Sequence, residues 1–161
     1  MRATKRFAFS LLLFFACVRA AIAADEFLPK KLVAFAGNTW VGPYHIELEG
    51  DVLFYWRGGP QDKDKAEEIK PTAEQWREFR RELDAVGIWK WRANYSTGEI
   101  IHDDTAWMFE VEYTNRKIKT GGDSSAFPDV DGSPVREGDP HYYNRYVEAL
   151  RKLLGLYKFP I

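Results

Sequence analysis

Residues 44–56 read YHIELEGDVLFYW, and this stretch decides the fold class. Apolar and polar side chains alternate from Tyr44 to Glu49, Gly50 and Asp51 follow, and a second run rich in strand-forming residues leads to Trp56. Period-two alternation on either side of a glycine turn is typical of a β-hairpin. The stretch therefore predicts two antiparallel strands.

A second hairpin is predicted later in the chain. Apolar and polar residues alternate from Trp107 to Tyr113, which indicates a strand with one buried face. Asn115 and Arg116 can turn the chain back into a strand over 117–120. The stretch 58–70 lacks periodicity, and we interpret it as an exposed charged loop. Residues 121–138 are rich in Gly, Ser, Pro and Asp, which indicates a long ordered loop.

Two helices are predicted. Thr72 and Gln75 form a capping box at the start of the first helix, and Gly87 is placed to end it. Its buried stripe is Trp76, Phe79, Leu83 and Val86, while Arg77, Arg80, Arg81 and Asp84 are expected to face water. For the second helix, Asp139 is the expected N-cap, Pro140 the first helical residue and Gly155 the stop.

These elements together predict an α+β fold. We expect two layers, an antiparallel sheet built from hairpins and two helices packed on one of its faces. Each half of the chain runs hairpin, double glycine, loop and helix, and this parallel suggests the hypothesis of a duplicated ββα unit. At this length one domain is expected, covering residues 24–161.

The first 23 residues are typical of a cleaved export signal. Arg2, Lys5 and Arg6 precede an apolar run of 12 residues, and Ala21-Ile22-Ala23 offers a small-residue cleavage site. The run is shorter than the roughly 20 residues of a membrane-spanning helix. We expect a periplasmic or secreted protein with no transmembrane segment in the mature chain. Lipidation at Cys17 is the less favoured alternative, because large residues precede it.

Charge and cysteine content exclude several classes of function. The leader holds four basic residues and no acid, so 19 basic and 24 acidic side chains remain, a formal charge of −5. An acidic chain with scattered basic residues is not suited to nucleic acid or to anionic membranes. Cys17 is the only cysteine and lies in the leader, so the mature chain has no thiol for disulfides, thiolate catalysis or metal binding.

One polar cluster, His102, Asp103 and Asp104, is a candidate binding site. The same residues could hold a metal or act as a general base, or simply form the turn before the second hairpin, which we favour. With Ser124 or Ser125 they could form a hydrolase site, but the Gly-x-Ser-x-Gly pattern is absent.

The segment 129–132, Asp-Val-Asp-Gly, invites a calcium interpretation. Aligned on an EF-hand loop, its first and last ligand positions would be Phe127 and Gly138, which cannot supply the required oxygens. A looser calcium loop with Asp123 and Glu137 is an alternative to a plain polar loop. We predict no metal, no cofactor and no catalytic residue.

Aromatic residues make up 21 of the 138 mature positions. If residues 89–91 form a strand, Trp89 and Trp91 lie on one face, and with Tyr95 and Trp40 they form the candidate exposed set. Such rings could bind a protein or stack on sugars. The alternative, which we favour for Trp89 and Trp91, is that they fill a small core without cysteine.

Several of these residues follow a recognisable order. The order is Trp76, Phe79 and Leu83, then Trp89 and Tyr95, then Asp104-Thr105-x-Trp107, Lys119 and residues 122–128. Over about residues 70–154 the chain resembles a small uncharacterised bacterial domain. That domain usually has Asp-Gly-Thr at the acidic turn and Gly-Ser-Asn-x-Tyr-Pro in the later loop, so this chain departs at both places. The resemblance implies an α+β fold and brings no established activity.

We expect an exported bacterial binding protein without enzymatic activity, which recognises a periplasmic or extracellular protein as an inhibitor or immunity-type partner does. One alternative is a module for cell-envelope polysaccharide that uses Trp89, Trp91 and Tyr95. A second is a hydrolase of unknown substrate that uses His102, Asp103 and a loop serine.

Overall fold

The computed structural model describes residues 27–38, 42–96, 105–124, 126–135, 140–155 and 159. They form a six-stranded antiparallel sheet, a two-stranded sheet and two α-helices, which confirms the predicted α+β fold. The strands are β1 (Lys31–Gly37), β2 (Tyr44–Glu49), β3 (Val52–Arg57), β4 (Glu67–Ile69), β5 (Ala106–Glu112), β6 (Lys117–Gly122), β7 (Phe127–Pro128) and β8 (Pro134–Val135), and the helices are α1 (Ala73–Ala85) and α2 (His141–Leu153). Short 3₁₀ helices span Pro60–Lys65 and Ile88–Lys90.

The large sheet has the order β4-β3-β2-β1-β5-β6. Both predicted hairpins are present, β2–β3 around Gly50 and β5–β6 around Asn115. Strand β1, which was not predicted, joins them by pairing Val33 with Glu47 on one side and with Glu110 on the other. Two of its core positions are alanines, Ala34 and Ala36, which are weak strand formers, so its sequence signal is faint.

Both helices cover the same face of the sheet, as predicted. Phe79 of α1 and Tyr146 of α2 lie with ring centroids 6.5 Å and 4.8 Å from that of Phe109 in the middle of β5. Tyr143 of α2 lies 5.0 Å from Trp107 on the same strand. Aromatic rings thus fill the core beside β5, next to buried aliphatic side chains such as Leu32, Ile46 and Leu83.

The start and end of α1 are as the sequence predicts. The backbone N–H of Gln75 donates to the Thr72 hydroxyl at 3.2 Å, and the backbone N–H of Thr72 donates to the Gln75 side chain at 2.8 Å. Gly87 has a positive φ of 69° after the last turn. The expected position of Arg80 is wrong, because this residue is 7% exposed instead of facing water. It lies four residues after Trp76, on the flank of the buried stripe.

The two stretches predicted as loops contain regular structure. Residues 58–70 include a 3₁₀ helix and β4, which pairs with β3 at the edge of the sheet. The stretch 121–138 begins in β6 and includes the small β7–β8 pair. For α2, Pro140 is the residue before the helix, and the predicted cap Asp139 lies outside the described residues. The duplicated ββα unit stays a prediction. Among the described helices none is both long enough and apolar enough to cross a membrane.

Candidate functional site

The predicted aromatic surface is only partly present. Trp89 lies in the 3₁₀ helix Ile88–Lys90 and Trp91 follows it, so the expectation of one strand face is wrong. Trp91 and Tyr95 are 6% and 2% exposed, so neither belongs to the candidate exposed set, and the core interpretation is correct for Trp91. A 3₁₀ helix has three residues per turn, so positions two apart point in different directions. Trp89 is half-buried, and Trp40 lies outside the described residues.

Trp91 and Tyr95 belong to the core. The Trp91 ring packs edge-on against Tyr146 at 5.7 Å and Trp107 at 6.4 Å. The Tyr95 hydroxyl donates to the Gly132 carbonyl at 2.9 Å and accepts from the Arg92 backbone N–H at 2.8 Å. Both side chains hold loops onto the sheet, and neither presents a ring to a ligand.

The polar candidates lie mostly beyond the part of the chain that the structure describes. His102, Asp103, Asp104 and Ser125 are among those residues, and their roles stay predictions. Ser124 is described and exposed.

The candidate calcium loop is held by hydrogen bonds of its own. The Asp129 carboxylate accepts from the backbone N–H of Val130 at 2.6 Å, and that of Asp131 from Ser133 at 2.8 Å. Glu137 is outside the described residues. Within the ranges given above, no group of three histidine, aspartate or glutamate side chains is placed to hold a metal ion.

Trp89 is the centre of a cluster that we call the Trp89 cluster: Arg80, Asp84, Trp89, Tyr113 and Arg116. The guanidinium carbons of Arg80 and Arg116 each lie 5.0 Å from the centroid of the Trp89 ring. Arg80 also lies 4.1 Å from the centroid of the Tyr113 ring. These distances are within the range of cation–π attraction, which strengthens where the cation is shielded from water.

Asp84 connects the members of the Trp89 cluster. Its carboxylate accepts the indole N–H of Trp89 at 2.5 Å and Arg116 Nη1 at 3.0 Å. It also accepts Arg80 Nε at 3.3 Å, an i,i+4 contact along α1. One carboxylate thus fixes the ring and both cations, and the cluster retains one net positive charge.

The fold brings these residues together from three segments. Arg80 and Asp84 lie on α1, Gly87 turns the chain so that Trp89 lies back against that helix, and Tyr113 and Arg116 belong to the β5–β6 hairpin. The Arg80 side chain is 9% exposed. Burial raises the pKa of the Tyr113 phenol far above its ordinary value, and the charge of Arg80 opposes this rise. The Tyr113 side chain is therefore neutral at any physiological pH.

A cavity of about 200 Å³ lies beside the Trp89 cluster. It is lined by Phe27, Arg80, Asp84, Asn115 and Arg116. The lining contains cations, an amide and a carboxylate that is already bonded to both arginines. Its described lining residues can therefore offer hydrogen bonds and positive charge to a ligand.

A second candidate surface lies on the face of the sheet opposite the helices. There His45 stacks on Trp56 with ring centroids 4.7 Å apart and contacts the edge of Phe35 at 5.2 Å. His45 Nε2 donates to the Gly58 carbonyl at 2.9 Å, and burial lowers the pKa of the imidazole. A groove of about 740 Å³ runs past His45 and Phe35 to Asp62.

Part of this second face is covered by the chain itself. Lys63, in the 3₁₀ helix Pro60–Lys65, bonds to Glu47 at 2.6 Å and to Glu49 at 2.7 Å. Its ammonium group lies 5.9 Å from the Phe54 ring and 5.7 Å from the Trp56 ring. Trp56 is only 8% exposed as a result, so it is not an open stacking platform.

Of the predicted aromatic set, the structure places Trp89 alone in a surface site, and sequence analysis missed its partners. The available signal was the position of Arg80 one turn after Trp76 and one turn before Asp84. Tyr113 and Arg116 meet Trp89 only through the tertiary fold, which no local pattern reports. Comparison of the chain with protein-family models, with curated proteins and with solved structures finds no match.

Proposed function

We propose that this chain is an exported bacterial binding protein without enzymatic activity, which recognises a periplasmic or extracellular protein in the manner of an inhibitor or immunity-type partner. The single observation that carries the proposal is the Trp89 cluster. A half-buried tryptophan between two arginines, beside a cavity, has the composition of an interface hot spot, where tryptophan, tyrosine and arginine contribute most of the binding energy.

The rigidity of the cluster supports the same role. Asp84 bonds to Trp89, Arg80 and Arg116 together, so the ring is oriented before a partner arrives. A side chain that is already ordered loses less conformational entropy on binding. The basic residues 2, 5 and 6, the apolar run and the small-residue site at Ala23 support export.

The polysaccharide alternative is weaker, because Trp91 and Tyr95 are buried and only Trp89 of its three rings remains for stacking. The hydrolase alternative depends on His102 and Asp103, outside the described residues, and gains no support from the Trp89 cluster. Sedimentation with purified peptidoglycan distinguishes the polysaccharide alternative from protein recognition.

The test is affinity capture from periplasmic extract with three immobilised baits: the protein, its Trp89→Ala variant and its Tyr44→Ala variant. Tyr44 is a matched control, since it is also a half-buried ring with an arginine 5.3 Å from its centroid, on β2 far from Trp89. We expect one stoichiometric protein on the unmodified and Tyr44→Ala baits and its loss on Trp89→Ala. Equal recovery on all three baits, or no recovery, contradicts the proposal.

A further inference from the structure

Arg80 is buried with most of its hydrogen-bonding capacity unused. A guanidinium carries five N–H donors. Only Nε of Arg80 makes a hydrogen bond within the described part of the chain, to Asp84. The side chain is only 9% exposed, so few water molecules compete with a ligand for its remaining donors. The Nη groups of Arg80 are therefore available to donate to a ligand beside the cluster.

The cavity beside Arg80 is the place for that ligand. It is lined by Arg80, Arg116 and Asn115, all of which carry N–H donors, and by the ring of Phe27. Arg116 uses Nη1 for Asp84 and is 40% exposed, so it can turn further groups toward a ligand. Convergent donors around a small space with an aromatic wall favour an anion that carries a short apolar stem.

The charge of the site selects the kind of anion. Arg80 and Arg116 contribute two positive charges and Asp84 removes one, so the site neutralises one negative charge. A carboxylate carries one negative charge and matches the planar fork of a guanidinium with two parallel hydrogen bonds. A phosphate monoester carries close to two at neutral pH, which leaves one unbalanced.

We propose that this cavity binds a carboxylate of the protein partner, held by the Nη groups of Arg80 with Arg116 and Asn115 beside it. This inference rests on the proposed function, since it assigns the chemistry of what the partner inserts next to Trp89. The carboxylate comes either from an acidic side chain or from a chain terminus, and both offer the same two oxygens.

The test is a titration of the purified protein, followed by the NMR signal of the Trp89 indole N–H, which is bonded to Asp84 at the site. The probes are acetyl-Gly-Glu-Gly-amide, acetyl-Gly-Gly-Gly with a free terminus, the neutral acetyl-Gly-Gln-Gly-amide and inorganic phosphate. We expect saturable shifts with at least one of the two carboxylate peptides and none with the neutral one. The carboxylate peptide that binds more tightly shows whether the carboxylate comes from an acidic side chain or from a chain terminus.

Substitutions at the site are expected to change the affinity for the carboxylate peptide in opposite directions. Arg80→Lys should weaken binding of the carboxylate peptide about tenfold or more, because lysine lacks the fork. Asp84→Asn keeps an acceptor but removes the competing charge, and should tighten binding about threefold or more. Arg81→Gln is the matched control, 65% exposed and paired with Glu78, and should change nothing. If Arg80→Lys fails to fold, the affinities of the Asp84→Asn and Arg116→Gln variants for the carboxylate peptide test the inference instead.

Tighter binding of phosphate than of carboxylate, equal binding of the neutral peptide, or no saturable shift overturns the inference. These outcomes are separable from failure of the proposed function. If a partner is captured through Trp89 but carboxylate peptides do not bind, the proposed function is retained and the inference about the cavity is wrong. If carboxylate peptides bind but no partner is captured, the cavity is a carboxylate site and the proposed function is contradicted.

Discussion

The guanidinium of Arg80 lies over the ring of Tyr113, 4.1 Å from its centroid, while the Tyr113 hydroxyl has no hydrogen-bond partner among the described residues. Tyr113 is 3% exposed, so this hydroxyl is buried without compensation. Arg80 thus contacts Tyr113 through the face of its ring. The buried hydroxyl of Tyr113 therefore lowers the stability of the fold, whereas the buried hydroxyl of Tyr95, which makes two hydrogen bonds, raises it.

Replacing each of these tyrosines by phenylalanine tests that contrast. Tyr113→Phe removes an unpaired polar group, so the free energy of unfolding should stay the same or rise. Tyr95→Phe removes the hydrogen bonds to Gly132 and Arg92, and should cost about 1–3 kcal/mol. Urea unfolding followed by circular dichroism measures both. Equal losses in the two variants would show that the Tyr113 hydroxyl has a partner.

The capping box of α1 gives a second prediction. Thr72→Ala removes the side-chain acceptor for the Gln75 backbone N–H and should lower the free energy of unfolding by about 1 kcal/mol. Thr114→Ala, at an exposed threonine in the β5–β6 turn, is the matched control and should change it by less than about 0.5 kcal/mol. A cost at Thr114 as large as that at Thr72 would contradict the capping role.

The predictable part of the fold is its local part. The period of Tyr44–Trp56 and the Thr72–Gln75 pair identify a hairpin and a helix start, because each involves residues close in sequence. The burial of Arg80 was not predictable in this way, since it depends on Tyr113, a neighbour only in the folded chain.

Trp91 shows the same limit for the candidate site. The direction of its side chain is set by the 3₁₀ helix that follows Gly87. From the sequence alone, two tryptophans at alternate positions fit a strand as well as they fit this helix. Of the site, only Trp89 could be identified from its residue type. The use of Arg80 and Arg116 around it required the tertiary structure.

Gly132 gives a third prediction, on the loop that invited a calcium interpretation. Its φ is +82°, and a Cβ atom there would overlap the carbonyl oxygen of Lys90. Gly50 has a φ of +63° and open space around it, so it is the matched control. Gly50→Ala should cost about 1–2 kcal/mol from backbone strain alone. Gly132→Ala should cost clearly more, because the loop must also move away from Lys90 and Trp91.

The measurement is again the urea midpoint of the two variants. The loop also accepts the hydrogen bond of Tyr95, so Gly132→Ala should shift NMR signals of Arg92 and Tyr95, whereas Gly50→Ala should leave them in place. Similar midpoints and unshifted signals would mean that the loop does not pack closely on residues 90–91.

His45 gives the last prediction, a dependence of stability on pH. Burial against Trp56 and Phe35 lowers the pKa of the imidazole from 6.5, although the hydrogen bond to Gly58 and the charge of Glu47 act in the opposite direction. As the pH falls, the unfolded chain takes up a proton at this histidine before the folded chain does. The stability associated with neutral His45 is thus complete above about pH 6.5 and is lost as the pH falls through the folded pKa.

His45→Phe keeps a ring against Trp56 but cannot titrate, so its free energy of unfolding should fall less between pH 7.5 and pH 5 than that of the unmodified protein. The expected difference approaches about 1.4 kcal/mol if folding lowers the proton affinity of the imidazole tenfold. His141→Asn, at an exposed histidine on the first turn of α2, is the matched control and should retain the original pH dependence. The lowered pKa values of Asp51, Asp62 and Asp131 start from 3.8, so these groups titrate below this window. A His45→Phe variant with unchanged pH dependence would therefore assign the effect elsewhere and refute the burial argument for His45.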